Sequence, residues 1–221
     1  MATNLILSGG VAHDFPATSA ALAGVLSEVG VESTVTEDIA GALTAGAEFD
    51  LITVNALRCW NDGGWSAGEG GAPFRLPPEG RDTLRRHLAR GGGMLAVHAA
   101  SICFDDWDGW ARTLGASWRW GVSGHPPLGP AEVKVHGGHP IVDGLADFEL
   151  VDEVYSDLDV LTGVQPLASS LGQPLVWARP AGQGRLVYDA LGHDTRSYDS
   201  PAHRTLLRRA ALWLLRRPLD G

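Results

Sequence analysis

Short apolar runs recur along the chain, and the stretches between the early ones carry their apolar residues at helical spacing. Leu5-Ile6-Leu7 predicts a buried strand, with Gly9-Gly10 opening the turn after it. Pro16 suits the first turn of a helix, which Ala20 to Val29 continues until Gly30 stops it. Val31 to Thr36 is β-branched and predicts a second strand. A short alanine-rich helix follows near Ile39 to Ala45, then a strand at Leu51-Ile52-Thr53-Val54. Residues 57–77 form a long loop of Gly, Trp and Pro, of the kind that often lines a site. Pro78 to Ala89 predicts a helix with Leu84 and Leu88 on one face, and Met94 to Val97 a fourth strand. Asp105 to Leu114 reads as a helix, with Asp105 or Asp106 near its start, where a carboxylate favours the helix dipole. This alternation implies a parallel sheet covered on both faces.

From about Ser117 to Gly184 turns become frequent and apolar runs short, which predicts an antiparallel extension of the same domain. Gln173 to Arg179 and Arg185 to Ala190 read as a hairpin across Pro180 to Gly184. Pro201 to Arg217 is a closing amphipathic helix carrying Leu206, Ala210, Trp213 and Leu214. The whole chain, residues 1–221, is read as one α/β domain.

Four apolar runs deliver polar side chains just beyond their ends. Asn4 to Ser8 leads to His13-Asp14, Asp50 to Val54 to Asn55, Met94 to Val97 to His98, and Arg185 to Leu191 to His193-Asp194. If these strands are parallel, all four groups gather along one sheet edge, where open α/β sheets bind ligands.

Charge narrows the chemistry. Lys plus Arg is 17 against Asp plus Glu 26, a net charge of −9, which argues against binding a phosphate backbone. The arginines near the end (Arg204, Arg208, Arg209, Arg216, Arg217) read as the solvated face of the last helix. Two cysteines, Cys59 and Cys103, provide neither a disulfide framework nor a thiolate metal site. No apolar run has membrane-spanning length, and the chain enters its first strand without a signal-peptide pattern, so the expectation is a cytoplasmic protein.

Converging neutral imidazoles can bind a divalent metal such as zinc, or act as general acid and base near neutral pH. His13, His98 and His125 are the candidate metal ligands, although no tight metal-binding spacing is present. His98 and His193 are candidate bases, Asp194 a group to orient an imidazole and Glu153 a second acid; Asp157 is a further carboxylate candidate. His13, Asp14, Asn55, Trp60 and His125 are candidate substrate contacts. His125 lies on a glycine-flanked loop that can reach the cleft; His139 is assigned to starting the turn Ile141 to Leu145, and His87 to the surface. His136 and His203 are given no role. The strand-to-turn position after Val97 is where α/β enzymes place a nucleophile, but Ser101 and Cys103 fall beyond it. Eight tryptophans, among them Trp60, Trp65, Trp118 and Trp120, suit either packing on a sugar ring or contact between subunits of a homo-oligomer.

Several short segments, in this order, resemble the trehalose-utilisation (ThuA-like) family of the class I glutamine amidotransferase-like superfamily. They are Gly9 to Asp14, Gly91 to Ala100, Gly124-His125, His139-Pro140-Ile141, Asp152 to Tyr155, Pro174 to Trp177, and Gly182 to Tyr188 through Gly192-His193. The resemblance implies a flavodoxin-like α/β/α sandwich of three layers with a mostly parallel central sheet. It also implies a role in catabolism of sugars, notably trehalose and 3-keto sugars, with a sugar or keto-sugar as the partner. Amidotransferases of the superfamily carry a cysteine at the elbow and a His-x-Glu pair near the end. Here the elbow holds His98-Ala99 and the late pair is His193-Asp194, so glutamine hydrolysis lacks its nucleophile. The expectation is an isomerase, lyase or hydrolase acting on a glycoside or 3-keto sugar. The alternative is a non-catalytic sugar-binding or regulatory module on the same fold.

Overall fold

A computed structural model describes residues 1–60 and 73–219; Trp65 and much of the long loop lie outside them. Eleven described strands occur: β1 (Ala2–Gly10), β2 (Val31–Thr36), β3 (Leu51–Leu57), β4 (Gly93–Val97), β5 (Ala116–Ser117), β6 (Gly129–Val135), β7 (Phe148–Asp152), β8 (Asp159–Val160), β9 (Pro166–Ser170), β10 (Gln173–Ala181) and β11 (Gly184–Asp189). The described α-helices are α1 (Phe15–Ser27), α2 (Ile39–Thr44), α3 (Pro78–Ala89), α4 (Asp108–Leu114) and α5 (Pro201–Leu214).

Nine strands form one sheet in the order β2-β1-β3-β4-β11-β10-β9-β6-β7. The first five are mutually parallel, and β10, β9, β6 and β7 continue the sheet with antiparallel pairings. The parallel half has the flavodoxin-like order, with β11 as its fifth strand because the antiparallel extension is inserted before it. Helices α1 and α5 pack together on one face, and α2 with α3 on the other, where α4 also meets β11. The expected α/β/α architecture with an antiparallel extension is therefore what the chain adopts. β3 and β4 are buried along their whole length, as strands covered on both faces must be.

Several local expectations change. β1 does not end at Ser8 but runs through Gly9-Gly10, which pair with Ala56 and Leu57 of β3. Glycine is needed there: at Gly10 φ is +131° and a Cβ would lie 2.1 Å from the Leu57 carbonyl oxygen. The helix predicted from Asp105 starts only at Asp108, because Asp105 and Asp106 are engaged elsewhere. Asp105 accepts from the Trp60 backbone and the Trp120 indole, and Asp106 pairs with Arg81. His87 is buried rather than on the surface, its Nε2 donating to the Gly93 carbonyl at 2.7 Å.

A candidate active site at the carboxyl edge of the parallel strands

The loop after β1 carries His13, the turn after β4 begins with His98, and the loop after β11 carries His193. Parallel pairing of β1, β3, β4 and β11 brings the three rings together, with centroids 4.7–5.3 Å apart. The fourth member comes from the antiparallel extension. Glu153, immediately after β7, places Oε2 3.0 Å from His193 Nδ1 and 3.6 Å from His98 Nε2.

Each ring is oriented by a backbone carbonyl or a carboxylate. His98 has φ +47°, a left-handed conformation that turns the chain sharply out of β4. Tyr188 holds that turn by donating to the His98 carbonyl at 2.9 Å, and the Trp110 indole donates to the Ala100 carbonyl. His98 Nδ1 lies 2.7 Å from the Ala190 carbonyl oxygen. A carbonyl only accepts, so Nδ1 carries the hydrogen and the lone pair of the neutral ring is at Nε2. Tyr155 Oη sits 3.0 Å from that nitrogen and donates to it. His13 Nδ1 donates to the Val11 carbonyl at 3.2 Å, which leaves the lone pair on Nε2. That Nε2 is buried and has no hydrogen-bond partner among the described residues.

Burial, reinforced by the neighbouring His98, pushes the His13 pKa down to about 3, so this ring is neutral at physiological pH. Burial alone would raise the Glu153 pKa. Contact with the His193 and His98 rings and the charge of His193, with that of His125 adding, outweigh it and keep the carboxylate well below its usual range. Glu153 in turn holds the His193 pKa above the ordinary imidazole value. His193 Nδ1 is close to the carboxylate but off the line of a good hydrogen bond.

His13, His98, His193 and Glu153 thus offer one ligand atom each, all within 4.8 Å of one another, a spacing that suits donors around a single cation. His125, expected among the metal ligands, stands one step back. Its Nδ1 is 3.3 Å from Glu153 Oε1, the oxygen turned away from the other histidines. Three of the four, His13, His193 and Glu153, line a cavity of about 320 Å³ together with Leu57, Ile102, Trp118, Trp120 and Tyr155, and His98 lies buried behind them.

Other expected site residues are elsewhere. The Asp194 carboxylate is occupied by the Arg196 guanidinium and backbone, and caps the short turn Thr195–Asp199 instead of orienting an imidazole. Asp14 caps α1 by accepting from Ala17 N. Asn55 faces α1, where its amide donates to Thr18 and Ser19 at 3.1 and 3.0 Å. The Trp60 ring is covered by the Arg75 guanidinium at 3.6 Å and lines a neighbouring hollow, shared with Trp118 and Trp120. Asp157 meets Ser123 and Arg119 only through its carbonyl. Cys103 donates to the Ala56 carbonyl, and burial pushes its thiol up to about 12, so it is no thiolate nucleophile.

Two residues that the sequence analysis assigned no role prove central. Asp152 accepts from the backbone N–H groups of Glu153, Gly192 and His193, which ties the two site loops together. Tyr155 touches His98 directly. Both lie in the Asp152 to Tyr155 segment already singled out, which was the available signal.

The family model for trehalose utilisation, ThuA, matches residues 4–214. The chain belongs to the ThuA family. Similar solved structures include a putative ThuA-like protein from Parabacteroides merdae, with a TM-score of 0.78 at 18% identity over 97% of this chain and 90% of that one. A cytoplasmic protein of Salmonella typhimurium LT2, STM1381, has a TM-score of 0.68 at 13% identity, covering 96% and 99% of the two chains. The fold of this ThuA-family chain also recurs within a β-galactosidase from Rahnella sp. R3, with a TM-score of 0.62 at 16% identity. That match covers 98% of this chain but 31% of the galactosidase. No curated protein sequence matches the chain. None of its described helices is long and apolar enough to cross a membrane.

Proposed function

We propose that this ThuA-family protein is an enzyme of carbohydrate catabolism whose cavity holds a divalent metal such as zinc on His13, His98, His193 and Glu153. The observation that carries the reading is the buried, unpartnered His13 Nε2, on a ring clustered with a carboxylate and two more imidazoles. An isolated buried acceptor is costly, and a cation is the partner that this donor set suits. Membership in a trehalose-utilisation family supports a carbohydrate-related role.

A bound divalent cation supplies Lewis-acid polarisation of a carbonyl or hydroxyl oxygen. The chain's own residues do the rest. The Ala190 and Val11 carbonyls fix which nitrogen of His98 and His13 is free to coordinate. Trp118 and Trp120 present indole surface to the cavity, suited to the apolar face of a sugar ring. His125, at the cavity wall and partly exposed, is placed to reach a substrate oxygen. The substrate class this suits is a glycoside or 3-keto sugar, transformed by isomerisation, elimination or hydrolysis. Glutaminase chemistry has no support, since His98 stands at the elbow and the Cys103 thiol is sealed.

Elemental analysis of protein purified without chelator, followed by Co²⁺ titration, tests the reading. We expect one equivalent per chain, lost in His13→Ala and His193→Ala, and turnover of 3-keto sugars abolished by chelation. A folded wild-type protein that binds no divalent metal at this cluster would refute it.

A further inference from the structure

Tyr155 is a fully enclosed side chain in the cavity wall whose hydroxyl is spent on an atom the site needs. Its ring is wedged between His98, at a centroid distance of 4.4 Å, and Trp118, at 5.2 Å. Its Oη lies 3.0 Å from His98 Nε2 and has no other hydrogen-bond partner among the described residues. Because His98 Nδ1 is committed to the Ala190 carbonyl, Nε2 is the one nitrogen of that ring able to coordinate. Its single lone pair cannot serve a phenolic hydrogen and a cation together.

Resting on the metal reading above, we infer that the Tyr155 hydroxyl and the cation compete for His98 Nε2. On loading, the hydroxyl is released into the cavity as a hydrogen-bond donor to an oxygen of the bound sugar. Tyr155 is in this way a substrate-contacting residue whose availability depends on the occupancy of the site. The cavity offers the room, since Tyr155 lines it alongside His125 and Trp120. A buried hydroxyl left without an acceptor is costly, which favours a substrate that brings an oxygen to it.

Tyr155→Phe removes the hydroxyl and keeps the ring. Titrated with Co²⁺ alone, Tyr155→Phe is expected to bind about two- to tenfold more tightly than wild type, the range of one net hydrogen bond. Equal or weaker binding overturns the inference while leaving the metal reading intact; wild type that binds no Co²⁺ overturns both. A second measurement does not depend on that variant folding. The chain has three tyrosines, so protein isotopically labelled at tyrosine Cζ gives three ring resonances, assigned with Tyr188→Phe and Tyr198→Phe. Zn²⁺ should shift the Tyr155 resonance and leave the others in place. A Tyr155 signal that stays put while metal binds also overturns the inference.

Discussion

Replacing Asp189 by Asn should lower the melting temperature of this protein by about 6–20 °C, an effect worked from a pair away from the cavity. Asp189 and His203 are both completely buried, with His203 Nε2 2.8 Å from Asp189 Oδ2. The other ring nitrogen, Nδ1, is 2.9 Å from the Ser197 carbonyl oxygen. With an acceptor at each nitrogen, both carry hydrogen and the ring is an imidazolium. Burial alone would lower the His203 pKa, but the charge and hydrogen bond of Asp189, with the Ser197 carbonyl, outweigh it and raise the value. Removing one partner of a buried ion pair costs about 3–5 kcal/mol, because the other charge is left without compensation. For a chain of this size each kcal/mol is worth about 2–4 °C.

The assay is thermal unfolding followed by circular dichroism. Asp189→Asn combined with His203→Gln should recover at least half of the loss, since no buried charge is then left alone. The pH dependence follows from the raised His203 pKa. Its stabilisation is fully present below the unfolded value of 6.5 and is lost as pH rises through the higher folded-state pKa. The gap in melting temperature between wild type and His203→Gln should therefore narrow toward alkaline pH. A gap that widens, or an Asp189→Asn protein melting within about 2 °C of wild type, would refute the ion-pair reasoning.

Two further predictions concern the backbone that positions the site. Asp152→Asn turns an amide N–H₂ toward at least one of the three N–H groups the carboxylate now accepts. It should weaken Co²⁺ binding by about 10–100-fold with the fold retained by circular dichroism; unchanged affinity would show that the clamp is dispensable. Gly10→Ala forces a Cβ against the Leu57 carbonyl at a positive φ and should destabilise by about 3 kcal/mol or more in urea titration. A neutral result there would mean that the end of β1 can shift without cost.

The parallel half of the fold was legible because its strands are buried on both faces, which leaves continuous apolar runs such as Met94 to Val97. Element limits were less so. Nothing in the apolar pattern distinguishes Gly9-Gly10 as strand from Gly9-Gly10 as turn; that depends on the close approach of Leu57. The start of α4 was misplaced because Asp105 and Asp106 look like helix-opening carboxylates, whereas Trp120 and Arg81, distant in sequence, engage them. His87 carried a readable signal: with Leu84 and Leu88 it completes an i, i+3, i+4 face, the face that packs inward.

At the site, strand ends were informative and neighbours in sequence were not. Parallel topology obliges residues just past the ends of β1, β4 and β11 to meet, and His13, His98 and His193 do. Asp194 and Asp14 sit beside two of those histidines in the chain, yet at the start of a turn or helix a carboxylate is drawn to free N–H groups. Both act there as caps. Asn55 lies within β3, and its side chain is directed onto α1 rather than to the sheet edge. The carboxylate that completes the cluster, Glu153, arrives from the antiparallel extension, where no periodicity announces which strand end faces the cavity. Its placement depends on β7 lying at the far edge of the sheet while Asp152 bonds back to Gly192 and His193. A carboxylate that clamps the His193 loop stands next to the carboxylate facing its ring, so positioning and chemistry are coupled through a single peptide unit. Loss of Asp152 should therefore perturb the cluster without touching any of its four donor side chains.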